Sequence, residues 1–265
     1  MDFIFIIGMV FGLICILVAQ ALEGGNVQSL LQLTAFMIVG GGTAGAVIAS
    51  FPLEILLSAI DVAKKSFAKD NVDFSKVITE ILGYATKARK EGVIILEKES
   101  KNASDPLLKT GLEAVSDGAD PVLVRDLMET QLGQLEDKIA KAAKVWEAGG
   151  GYSPTFGIIG AVMGLIQVMQ NLADPSKLGA GIAVAFVATI YGLIIANLIL
   201  LPLATKIKFK SAKEFLAKQI MIEGILSIQA GESPALIERK LNAFLMDKKT
   251  DTGGQGAAKP AAARA

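Results

Sequence analysis

Four stretches of the chain run without a single Asp, Glu, Lys or Arg: Phe3–Leu22, Leu30–Leu53, Pro154–Ala173 and Leu178–Thr205. An α-helix rises about 1.5 Å per residue, so a hydrocarbon layer about 30 Å thick is crossed by about 20 apolar residues. The runs hold 20, 24, 20 and 28 residues, and each is predicted to be a transmembrane helix. The first contains Ala19-Gln20-Ala21, which mimics the small-residue cleavage site of a signal peptide. It lacks the basic start of such a peptide and is longer than a typical signal core, so it is read as a retained span.

Between the second and third runs the pattern changes to helical amphipathicity. Val77, Ile81 and Tyr84 form one apolar stripe, and Val124, Leu127, Met128, Leu132, Leu135, Ile139, Ala142 and Trp146 form a longer one. Steps of three and four residues predict helices packed through one face, with Trp146 at the membrane surface. Asp105-Pro106 and Asp120-Pro121 each place a capping acid before a proline at a first helical position. No alternation is long enough for a strand. After the fourth run, helix is predicted to continue through Phe215, Ile222 and Leu226 to near Gly231. Ser233-Pro234 then opens a last helix to about Met246, and the Gly/Ala/Pro-rich remainder is predicted to be disordered.

The predicted fold class is an all-α integral membrane protein with four transmembrane helices. The expected divisions are spans one and two at 1–57, a helical cytoplasmic domain at 58–153, and spans three and four at 154–205. A cytoplasmic helical extension at 206–246 and a tail at 247–265 complete the chain.

Composition matters once it is divided along this pattern. The 26 Lys+Arg and 26 Asp+Glu cancel, and 52% of residues are hydrophobic, which alone describes a soluble protein. Every charge nevertheless lies in the 173 positions outside the runs, about 30% of them. Of the basic residues, only Lys177 lies in a short loop, Asp174–Lys177; the other short loop, Glu23–Ser29, has none. Positive residues favour the cytoplasm, so both large charged segments and the N-terminus are expected inside.

The absence of histidine excludes histidine metal sites, Ser-His and Cys-His nucleophiles and a histidine pH switch. The one cysteine, Cys15, sits among Ile14, Ile16 and Leu17 and reads as a small buried hydrophobe. There is no phosphate-binding loop or zinc spacing, so neither enzyme chemistry nor a cofactor is expected. Zero net charge argues against a nucleic-acid partner.

The spans carry no carboxylate. Their polar groups include Thr189 and Asn197 in the fourth run and Thr155, Gln167, Gln170 and Asn171 in the third. A hydroxyl or amide lines a wet path but holds no titratable proton; if the chain conducts ions, the ionisable group is expected from elsewhere, such as a partner's membrane helix. The plainer expectation for Thr189 and Asn197 is hydrogen bonding between helices. Pro154, with Ser153 as its cap, is expected to open the third span, and Pro202 to bend the inner end of the fourth. Gly8/Gly12, Gly41/Gly45 and Gly160/Gly164 suit close helix packing, within the chain or between copies. The mixed charges of Lys87–Glu97 read as a solvated helix face, on which Lys90 and Glu97 share a side unless Gly92 interrupts the helix.

Five ordered features resemble the flagellar motor stator A subunits, the MotA/PomA type of the MotA/TolQ/ExbB superfamily. They are Gly40-Gly41-Gly42-Thr43, Arg89-x-x-Gly92-x-x-x-x-Glu97, Pro154-Thr155-Phe156-Gly157-Ile158-Ile159-Gly160, Thr189-x-Tyr191-Gly192 and Pro202-Leu203-Ala204. The resemblance covers the chain to about Met246. It implies that Arg89, Lys90 and Glu97 contact the rotor's switch-complex protein, that Pro154 and Pro202 couple ion passage to torque, and that Thr189 lines the ion path. It also implies a bacterial inner-membrane location and five A subunits around a dimer of B subunits. Each B subunit carries the membrane aspartate and a peptidoglycan anchor. Sodium-type relatives have a second threonine where this chain has Ala161, which points to protons. Some relatives also carry an acid where Gln32 stands. The alternatives are an ExbB/TolQ-type energiser, which has three spans and lacks the charge motif, and a non-conducting membrane scaffold.

Overall fold

The computed structural model describes residues 4–68, 72–172 and 175–251. Every regular element among them is helical. Helix α1 is Ile4–Leu22, followed by a 3-10 turn at Val27–Leu30. The second span is built from α2 (Leu33–Phe36), a π-helical segment (Met37–Gly41) and α3 (Gly42–Ser50). Then come α4 (Leu53–Phe67), α5 (Phe74–Glu91), α6 (Ile95–Ser100), α7 (Pro106–Ser116) and α8 (Pro121–Gln170). The fourth span starts in α9 (Pro175–Ile194), passes through a second π segment (Ile195–Leu200) and enters α10 (Leu201–Gln229); α11 is Pro234–Asp251. By length and composition, four helical segments can cross a membrane: Ile4–Leu22, Val27–Ser50 and parts of Pro121–Gln170 and Leu178–Gln229.

The chain forms two compact units. One comprises Met1–Asp70 and Glu136–Ala212, the other Asn71–Leu135 and Lys213–Ala265. In the first, Ala35 and Val39 of the second span pack against Val187 and Ala188 of α9. A separate cluster joins Ala59 of α4 to Ala142 and Val145 of α8. There the Trp146 indole N–H donates to the Ala59 carbonyl at 3.2 Å.

In the second unit, the fully buried Ile81, Leu96, Leu108, Leu112, Met128, Ile220, Ile225 and Leu241 bring α5, α6, α7, α10 and α11 around the start of α8. The expected caps hold. Asp105 accepts from the Leu107 N–H at 2.8 Å, and Asp120 from the Val122 N–H at 2.8 Å. The long stripe holds at Val124, Met128, Leu132 and Ile139, but Leu127 is 45% exposed. The helix expected to stop near Gly231 ends at Gln229, and Gly231 takes φ 71°. The final helix runs past Met246 to Asp251; positions 252–265 of the expected tail lie outside the described residues.

Pro154 does not open a helix. It lies inside the 50-residue α8, which runs unbroken from Pro121. Proline removes one backbone donor and crowds the preceding turn, and here that turn is Gly149-Gly150-Gly151, the most adaptable backbone available. Ser153 is not a cap either. It is fully buried, and its hydroxyl donates across to the Gly192 carbonyl at 3.0 Å.

Candidate functional site

The Pro154–Gly160 motif lies between the second and fourth spans, and glycine makes this possible. A Cβ built on Gly42 would fall 2.3 Å from the Phe156 ring, so the bare backbone of the second span is the seat for that ring. On the other side, a Cβ on Gly157 would lie 3.1 Å from the Ala188 carbonyl oxygen and 3.3 Å from Thr189 Cα. Reciprocally, a Cβ on Gly192 would lie 2.8 Å from the Ser153 carbonyl oxygen and 3.2 Å from Pro154 Cα. Gly164 and Gly181 repeat the contact further along, with 2.6 Å from a Gly164 Cβ to the Gly181 carbonyl oxygen. Backbone approaches backbone, the arrangement in which dispersion holds helices together in lipid. Pro154 thereby lies against Gly192, and Thr189 against Gly157. Ala161 follows Gly160, whose Cβ position meets Ala188, and is half-buried.

Pro202 is not part of this contact. It stands thirteen residues beyond Thr189, about 20 Å along a helix axis. The π segment Ile195–Leu200 ends just before it. The expected bend at Pro202 thus falls beside a departure from regular α-helical hydrogen bonding, a π turn of the kind that accompanies helix kinks. Here Leu200 and Leu201 reach the Gly149 and Gly150 positions of α8.

Among the described residues, Thr189 and Asn197 make no hydrogen bond between helices. Thr189 Oγ1 donates to the Ala185 carbonyl at 3.1 Å, and Asn197 Nδ2 to the Leu193 carbonyl at 3.0 Å, each within its own helix. Back-bonding satisfies the donor and leaves the hydroxyl's lone pairs available to another group. Contacts between segments instead come from residues that hydropathy does not single out. Tyr191 Oη donates to the Leu30 carbonyl at 2.6 Å and accepts from the Gln32 N–H at 3.2 Å. Thr43, of the Gly40–Thr43 motif, is 6% exposed, and its hydroxyl has no partner among the described residues.

In the other unit, the charged motif is a corner rather than a helix face. Helix α5 ends at Glu91, and Gly92 takes φ 86° and ψ 163°, a region essentially reserved for glycine. Glu97 lies beyond it in α6, so Lys90 and Glu97 do not share the face of one continuous helix. The corner is braced. Lys87 pairs with Glu99 at 2.7 Å, and Ser100 Oγ donates to the Glu97 carbonyl at 2.8 Å. Tyr84 Oη donates to Glu80 at 2.6 Å, while Glu80 accepts from the Ser104 N–H at 3.0 Å. Burial, and then Glu80, push the Tyr84 phenol far above its usual value. Arg89, Lys90 and Glu97 are exposed, and their side chains have no partner among the described residues. Arg89 borders a recess of about 120 Å³ with Val93 and Glu232. Glu97 borders a separate groove of about 470 Å³. The two charges thus face different depressions.

No cluster of metal-ligating side chains occurs among the described residues.

The profile of the MotA/TolQ/ExbB proton channel family matches residues 99–245, and that of the motility protein A N-terminal family matches residues 6–92. Uncharacterized protein YtxD of Bacillus subtilis is 35% identical over 92% of this chain and 90% of its own length. Motility protein A of Aquifex aeolicus is 37% identical over 91% of this chain and 95% of its own length. Among solved structures, C. jejuni MotAB superposes with a TM-score of 0.87 at 31% identity, covering 92% of this chain and 96% of the solved chain. The chain belongs to the MotA/TolQ/ExbB proton channel family.

Proposed function

We propose that this chain is the A subunit of a bacterial flagellar motor stator, pairing with a B-type subunit to pass protons and exert torque on the rotor. The observation that carries this reading is the seat of Pro154 and Gly157 against Thr189 and Gly192 in spans that contain no carboxylate. A path with a hydroxyl wall and no titratable group requires the proton acceptor of a partner, here the membrane aspartate of the B subunit. Thr189 lines the path. Pro154, packed on the same glycines, registers protonation of that aspartate as a shift between the third and fourth spans. Pro202, beside the π bulge, passes the shift into α10. Ala161 offers a methyl where a hydroxyl would help replace a cation's hydration shell, which favours protons over sodium.

Arg89, Lys90 and Glu97 meet complementary charges on the rotor's switch-complex protein. Five copies surround a B dimer in the inner membrane, with both termini cytoplasmic. Among the described residues, Gly8, Gly41 and Gly45 meet nothing beyond their own helix backbone within 4 Å of their Cβ positions and suit contact with other subunits or lipid. Phe5, near the start of α1, lies 5.4 Å from Lys206 Nζ, a basic residue just past the fourth apolar run. This supports a cytoplasmic N-terminus. The domain divisions follow: spans within 1–57 and 154–205, and cytoplasmic helices within 58–153 and 206–246.

Charge exchange tests the reading. Arg89→Glu together with Glu97→Lys is expected to impair swimming, and compensating reversals on the rotor protein to restore part of it. Normal swimming by the doubly reversed variant would remove the rotor-contact assignment.

A further inference from the structure

The charged corner carries more than three charges. Glu91, Lys98 and Lys101 are exposed like Arg89, Lys90 and Glu97, and none of these six side chains has an ion-pair partner among the described residues. Elsewhere in the same unit charges pair readily: Lys218 with Asp105 at 2.9 Å, Lys240 with Glu223 at 2.5 Å, and Arg125 with Glu129 at 3.3 Å. At the centre of the unpaired set are two aliphatic side chains that the fold does not bury. Ile94 is 75% exposed and Val93 42% exposed, whereas Leu96, two residues on, is fully buried. Ile94 and Ile95 form the apolar wall of the 470 Å³ groove, and Glu91, Glu97, Lys98 and Lys101 form its rim. Gly92 and the buried Leu96 fix the turn, so displaying Ile94 costs little further ordering.

Unpaired charges of both signs around an exposed aliphatic group are the anatomy of a binding hot spot: an apolar centre inside a polar rim that excludes water. We infer that Ile94, backed by Ile95 in the same groove, is the apolar anchor of the rotor contact. Glu91, Lys98 and Lys101 extend its charged rim. The matching surface on the rotor protein is a shallow apolar pocket flanked by acidic and basic side chains. The inference rests on the rotor-contact reading proposed above and adds the source of affinity. The rim steers and orients the partner, while the anchor holds it after docking.

Salt separates the two contributions. The full stator complex, with Ile94 wild type or replaced, is placed in lipid nanodiscs and titrated with the purified rotor switch-complex protein from low to high ionic strength. Ile94→Ala is expected to weaken binding on the order of tenfold at every salt concentration, leaving the salt dependence unchanged. Ile94→Leu is expected to bind within about twofold of wild type. Arg89→Glu is expected to reduce binding at low salt and to flatten the salt dependence. Wild-type binding by Ile94→Ala, with Arg89→Glu still defective, would overturn the anchor and leave the rotor contact standing. Wild-type binding by both would overturn the rotor contact and the anchor with it.

Discussion

Gly192→Ala places one methyl group where two membrane helices touch backbone to backbone. The added Cβ would lie 2.8 Å from the Ser153 carbonyl oxygen and 3.2 Å from Cα of both Gly157 and Pro154, whereas ordinary contact begins at 3.4 Å. No flexible side chain yields here, so α8 and α9 must part by about 0.6 Å, the difference between 2.8 and 3.4 Å. Overpacking of this kind costs about 1–3 kcal/mol. The same movement stretches the 3.0 Å Ser153–Gly192 hydrogen bond beyond bonding distance, adding about 0.6 kcal/mol for a bond between membrane helices. A total loss of about 2–4 kcal/mol is expected, read as earlier thermal unfolding of the purified complex in detergent. Because Thr189 and Pro154 flank the contact, torque should fall as well. Gly133→Ala is the control. Its Cβ position in α8 has no neighbour within 4 Å, so the better helix former should be neutral or slightly stabilising. Gly192→Ala unfolding with wild-type stability and producing wild-type torque would refute the contact and its functional weight.

Gly92→Ala forces alanine into φ 86°, ψ 163° with no steric neighbour within 4 Å. The cost, about 1–3 kcal/mol of backbone strain, should appear as reduced swimming from a misplaced Ile94–Glu97 corner, measured beside the unfolding midpoint. Lys218→Met leaves Asp105 without its 2.9 Å partner. The 3–5 kcal/mol typical of a buried broken pair falls to about 1–3 kcal/mol because the Asp105 side chain is 23% exposed. Chemical denaturation should show that loss, and a second change, Asp105→Asn, should recover part of it. The Tyr84 phenol titrates above its ordinary 10.0 in the folded chain. Its contribution is therefore whole below pH 10 and declines as pH rises further, because the unfolded chain releases that proton first. Tyr84→Phe should flatten this alkaline part of the stability curve relative to wild type.

The fold is legible in the sequence where one local rule governs, and not where tertiary contacts decide. Asp105-Pro106 and Asp120-Pro121 cap helices because the side chain and the amide it satisfies lie two residues apart. The same pattern predicts a helix start at Pro154, where the helix instead runs through, because the Gly149–Gly151 turn tolerates the ring and the Ser153 hydroxyl bonds a carbonyl 39 residues away. The charge motif was legible as a set of residues but not as a shape, since Gly92 turns the chain between Lys90 and Glu97. Thr189 stood out as a polar residue in an apolar run, yet its bond to Ala185 is intrahelical, a choice that depends on which neighbours lie within reach. Tyr191 shows the opposite case. Its bonds to Leu30 and Gln32 join segments about 160 residues apart, and hydropathy gives no sign of them. Both π segments were equally hidden, because one extra residue in a turn leaves an apolar run unchanged.

Rotation under controlled gradients tests most directly whether this chain walls a proton path that drives a motor. Cells producing the chain with its B-type partner would be tethered and their rotation speed recorded, first as a protonophore collapses the proton gradient and then with sodium withdrawn. Rotation that stops with the proton gradient and continues without sodium is the expected result. Rotation that survives the protonophore and stops when sodium is removed would contradict both the proton assignment and the role given to Ala161.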